Sequence, residues 1–111
     1  MSEPLGTVTI APDVLVSIAR LTALATPGVA RLNPAGMRAV FGGKDGGVHV
    51  GVEDDRVTVE VRLVVEHGTN MLQLSQGLQS KIARAIQDMV GMDVATVNVF
   101  IADVEFPQVD E

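Results

Sequence analysis

The chain has no cysteine, no tryptophan and no tyrosine, and its 111 residues include only three phenylalanines and two histidines. Without cysteine there is no disulfide framework, no thiolate nucleophile and no sulfur metal site, a composition that fits the cytosol. Scarce aromatics leave few platforms for stacking bases or sugars. Long apolar runs are missing too. The richest stretch, Val14 to Ala25, is interrupted by Ser17, Arg20 and Thr22. A spanning helix needs about 20 mostly apolar residues, so direct membrane insertion is not expected. Met1 to Gly6 has no basic segment leading into an apolar run, so no signal peptide is expected either.

Positive charge is also in short supply. Eight Lys and Arg face fourteen Asp and Glu, a formal net charge of −6. That sign repels phosphate backbones and anionic lipid surfaces, so nucleic acid is not an expected partner. What the chain does have is aliphatic bulk: 47 % of its residues are hydrophobic. This suffices for one core, and the length fits a single domain spanning 1–111, with its core about 6–106.

The periodicities predict two helices and four strands. Gly6 to Ile10 alternates as a short strand, and Pro12 and Asp13 suit the first turn of a helix running to about Ala25. Asp13, Ser17 and Arg20 form a narrow polar stripe on it. The remainder is apolar, including Val16, Leu21 and Leu24, and exceeds the ~100° that covering one sheet face requires. A second surface is therefore expected over this helix. Residues 31–47 read as a glycine-rich loop, with Met37 to Phe41 a strand fragment or helical turn inside it.

Val48, Val50 and Val52 alternate, as do Val57, Val59, Val61, Leu63 and Val65, around a two-residue turn at Asp54-Asp55. That turn sets Glu53 opposite Arg56, Val52 opposite Val57 and His49 opposite Glu60, with apolar pairs on one face and charges on the other. Thr69 or Asn70 is a suitable cap for a second helix, about Met71 to Val90, which Gly91 stops. The last strand, about Val94 to Phe106, shows Val97, Val99 and Ile101 on one face and Phe100, Ala102, Val104 and Phe106 on the other. Such a strand is expected to be covered on both sides. The order β-α-β-β-α-β predicts an α+β fold: a two-layer domain, mostly antiparallel, with both helices on one sheet face.

Chemistry-bearing residues are sparse. His67 beside Glu66 is the best metal or acid–base candidate, but neighbours on a strand point to opposite faces. The carboxylates at Asp54-Asp55 and Asp103-Glu105 read as turn and surface residues. Gly43-Lys44-Asp45-Gly46 matches a bare GxxG but precedes a strand, and no Gly-Lys-Ser/Thr opens a helix. None of the four serines sits in a nucleophile elbow. No catalytic residue, cofactor or metal is expected.

The ordered pattern resembles the alkaline-shock-protein (Asp/Gls) family of bacterial envelope stress response proteins. It runs from Gly6-Thr7-Val8-Thr9-Ile10-Ala11-Pro12 through Ile18-Ala19 to Pro27-Gly28-Val29. It continues in the valine hairpin, His67-Gly68-Thr69-Asn70-Met71, and Met89-Val90-Gly91-Met92-Asp93-Val94. His67 departs from the pattern, standing where the family often has an aromatic residue. The resemblance implies a cytoplasmic, self-associating protein tied to envelope homeostasis, in some members held at the inner membrane face by a small membrane-anchored partner. It supplies no catalytic residues.

The leading expectation is therefore a non-enzymatic homo-oligomeric scaffold, with Val16, Leu21, Leu24, Phe100 and Phe106 as contact residues. One alternative is a small-ligand or metal site near His67. The other, nucleic-acid binding, would need a basic face built from Arg20, Arg31, Arg38, Lys44 and Arg84.

Overall fold

The valine hairpin forms the middle of the molecule. In the computed structural model, which describes residues 5–34 and 46–108, β2 (Val48–Glu53) and β3 (Arg56–Glu66) pair antiparallel in the expected register, including Val52 with Val57 and His49 with Glu60. Asp54 and Asp55 both adopt positive φ, 52° and 63°. This is the left-handed turn whose twist matches the flanking strands. Val57, Val59, Val61, Leu63 and Val65 are all fully buried on one face of β3. Burial of each such side chain contributes about 1.5–3 kcal/mol.

Two helices cover that face. The first, α1 (Pro12–Leu24), sends Leu15, Ile18, Ala19 and Ala23 into the core. The second, α2 (Met71–Val90), inserts Leu74, Leu78, Ile82 and Ile86, a repeat of four that keeps one side inward. The Asn70 carboxamide oxygen accepts from the Gln73 backbone N–H at 3.0 Å, and Gly91 closes the helix at φ 79°. Both caps are where the sequence predicts them. From there β4 (Asp93–Glu105) runs parallel to β3 along its whole length.

The fourth strand is β1 (Val29–Leu32), antiparallel to the far end of β3. It shares one edge of β3 with β2. The Asn33 N–H donates to the Arg62 carbonyl, and the Arg62 N–H donates to the Gly47 carbonyl, so the two short strands meet end to end there. A β-carbon at Gly47 (φ 97°) would lie 2.9 Å from the Asn33 nitrogen, which only glycine avoids.

The α+β class, the two helices and the four strands agree with the sequence reading, but three local expectations change. Gly6–Ile10 is not a strand, because no neighbour among the described residues pairs with it, and the first strand among them is Val29–Leu32 instead. Among the described residues the order is therefore α-β-β-β-α-β. Residues 31 and 32, assigned to a loop by their sequence, are held as strand by β3. The proposed element at 37–41 lies outside the described residues.

The third change concerns the last strand. Register shifts fall between Val57/Thr58 and between Leu63/Val64, placing Val94, Val97, Val99, Ile101 and Val104 beside the five buried residues of β3. Extra residues at Ala95 and Ala102 rotate the strand back onto the core each time. Val104 thus belongs to the core side, and Phe100 is left on the opposite face, 53 % exposed. Among the described residues that face is open, not covered.

Candidate functional site

Outside the core, α1 carries a second apolar surface. Val14, Leu21 and Leu24 are 43 %, 67 % and 43 % exposed. Spacings of seven and three put them in one row on the helix, with Ser17 between them and Asp13 and Arg20 alongside. Val16 lies elsewhere on the helix, half-buried and packed against the core. Of the α1 residues expected to make contacts, Leu21 and Leu24 face outward and Val16 does not.

The two phenylalanines occupy other places. The Phe100 ring lies under the Arg62 guanidinium, 4.2 Å from ring centroid to Cζ, on the sheet face away from the helices. Arg62 Nε is buried there without a hydrogen-bond partner. The cation–ring contact, of order 0.5–1 kcal/mol when exposed, pins the arginine flat. Nearby, Arg31 and Glu105 form an ion pair. Arg31 is opposite Val64, and Glu105 is on the other side of β3, so the pair bridges the strand and accounts for Val64 being only 2 % exposed. Phe106, 65 % exposed, packs against the His67 ring with centroids 4.9 Å apart. The predicted contact residues therefore fall on two sides of the domain and do not form one patch.

His67 does meet carboxylates. An open concavity of about 650 Å³ is lined by Glu66, His67, Glu105, Phe106, Pro107 and Gln108. Glu105 is already engaged by Arg31, and His67 lies against Phe106. Among the described residues, no three side chains of the His, Cys, Asp or Glu type come together as a metal site would require. The arginines of the nucleic-acid alternative are also dispersed. Arg31 is on the sheet, Arg20 and Arg84 are on the helices, and Arg38 and Lys44 lie outside the described residues.

Sequence reasoning missed the arm before α1. Leu5 and Val8 are fully or nearly fully exposed and Ile10 is 40 % exposed. The alternation was legible; that none of the described residues would pair with it was not. Met89 and Leu72 on α2 are also exposed, at 71 % and 67 %. Among the described residues, no helix is long and apolar enough to cross a membrane.

Comparison with known proteins places this architecture. The Bacillus subtilis protein YqhY, itself uncharacterised, is 31 % identical over 109 residues, covering 92 % of this chain and 79 % of YqhY. A second uncharacterised protein of the same bacterium, YloU, is 24 % identical over 58 residues, covering 52 % of this chain and 48 % of YloU. No solved structure gives a significant match. A family model described by its cell envelope-related function matches residues 1–106, and with that match the chain belongs to the alkaline shock protein 23 family.

Proposed function

We propose that this protein is a non-enzymatic scaffold that associates with copies of itself in the service of the cell envelope. The observation that carries the reading is the outward row Val14, Leu21 and Leu24 on a helix whose inner face is already packed. Exposed apolar residues scattered singly need no explanation, but a row aligned on one helix face is the form in which helices meet partners. The family's envelope-related function supplies the setting. The protein works on the cytoplasmic side of the membrane and reaches it through a small membrane-anchored partner.

Light scattering after size exclusion tests the central claim. The expected result is a dimer or larger species at tens of micromolar, reduced to the 11.7 kDa chain by combining Leu21→Glu with Leu24→Glu. A wild-type protein that stays at the monomer mass at several hundred micromolar would overturn it. The concavity beside His67 supports a second reading, a small-ligand site. Loss of an envelope phenotype on His67→Ala, with assembly intact, would favour that reading over the scaffold.

A further inference from the structure

The arm before α1 has the chemistry of a strand, but among the described residues no strand pairs with it; Val8, Thr9 and Ile10 line a concavity with Asp55, Val90, Met92 and Asp93 instead. Thr7-Val8-Thr9-Ile10 alternates polar and apolar β-branched side chains, and Ala11, where the arm meets α1, is extended at φ −66°, ψ 142°. Among the described residues, no hydrogen bond joins Gly6–Ile10 to the rest of the domain, and Val8 is 88 % exposed. Unpaired backbone polar groups beside exposed apolar side chains define a segment suited to a sheet edge.

Such an edge is on the same molecule. Among the described residues, β4 pairs with β3 on one side only. Its other side borders a groove of about 430 Å³ lined by Gln79, Ser80 and Ala83 of α2 and by residues 94–98. The Gln79 side-chain amide donates to the Val97 carbonyl at 3.0 Å. A side-chain N–H there takes the role that the backbone N–H of an added strand would take. The helix wall of the groove is built from small residues, Ser80 and Ala83, which leave room for incoming side chains.

We infer that the Thr7–Ile10 segment of a second copy adds to the outer edge of β4 as a further strand. This rests on the self-association proposed above, but not on the α1 row. The side-chain pattern fits in one register class. Val8 and Ile10 turn down toward Ser80 and Ala83, while Thr7 and Thr9 stand on the open face next to Thr96 and Asn98, a favourable cross-strand pairing. Charge fits as well. Leu5–Ile10 and Val94–Phe100 contain no charged residue in a chain of net charge −6, so the two segments meet without like-charge repulsion. By contrast, β2 ends in Glu53 and carries His49. A four-residue strand covers less than the ~1,600 Å² of a standard stable interface, so each contact is weak alone. Arm and edge are different surfaces, so two copies can exchange arms reciprocally as a dimer, or the contact can run head-to-tail from copy to copy.

The absence of cysteine makes the test clean. A Thr9→Cys copy is mixed under mild oxidation with an Asn98→Cys or Thr96→Cys copy, or with a Gln76→Cys copy as the control on the outer side of α2. The expected result is a mixed disulfide that forms at least tenfold faster with the β4 positions than with the control. Deleting residues 2–9 is expected to lower the mass seen by light scattering and to shift the melting temperature by only a few degrees, because none of the buried core residues lies in that segment. No preference for the β4 positions, or a Thr9→Cys/Asn98→Cys chain that closes its disulfide within a monomer, overturns the inference. If arm deletion leaves the mass intact while Leu21→Glu with Leu24→Glu dissociates it, the scaffold reading stands and strand addition falls. A wild-type monomer sinks both.

Discussion

The two helices share a sheet face and differ in what they turn away from it. Outside α2 lie Gln73, Gln76, Lys81, Arg84, Gln87 and Asp88, all exposed. Outside α1 lie Val14, Leu21 and Leu24. Their ends differ in the same sense: Asn70 caps α2 through its side chain, while Ala11 stands at the start of α1 with no side-chain bond to offer. The outer side of α2 is mostly polar, with Leu72 and Met89 exposed near its two ends, whereas α1 carries an apolar row along its outer side and has no side-chain cap. The two helices are packed alike on the inside and differ outside in that only α1 aligns its exposed apolar residues along its middle and last turns.

Five substitutions probe that contrast. Ile82→Ala in α2 and Leu15→Ala in α1 both empty fully buried sites, and each should cost about 3 kcal/mol. That lowers the melting temperature by roughly 10–15 °C in a chain of this size. If Leu15→Ala proved nearly neutral by thermal denaturation, α1 would be loosely docked and the comparison would break. Next in size, Asn70→Ala removes the cap of α2 and should cost about 1 kcal/mol in urea titration. Its mirror image sharpens the point: Ala11→Ser gives α1 the cap it lacks and should gain about 0.5–1 kcal/mol. The smallest effect belongs to Leu21→Gln, expected to change chemical stability by less than about 0.5 kcal/mol. A loss above 1 kcal/mol at monomer concentrations would show that Leu21 supports its own fold.

Much of this fold could be read from residue order. The hairpin was legible because its period and its Asp54-Asp55 turn agree, and a slip of one residue would bury Glu60 and Arg56. α2 was legible because its repeat has a cap at one end and Gly91 at the other. β1 escaped detection because four residues, Val-Ala-Arg-Leu, with a register shift between Val29 and Arg31, carry no alternation of their own. Its state is imposed by β3. The same cause, inverted, applies to Gly6–Ile10: local preference for a strand does not create one without a neighbour. The faces of β4 were misassigned because bulges at Ala95 and Ala102 reset the period, and neither alanine signals a bulge. For the contact residues, sequence showed that α1 had surplus apolar surface. Only the packing separated Val16, which is used inside, from Leu21 and Leu24.

The parallel pairing of β3 and β4 has a consequence for how the chain is made. β2 and β3 are joined by two residues and can close as soon as both exist, whereas β4 must wait until the whole of α2 has been laid across the sheet. During synthesis the second edge of β3 thus stays bare until β4 itself has left the ribosome. A message truncated before Asp93 would release a valine-rich strand with one side permanently unpaired, and pulse-labelled truncated chains are expected to pellet where the full-length chain stays in solution.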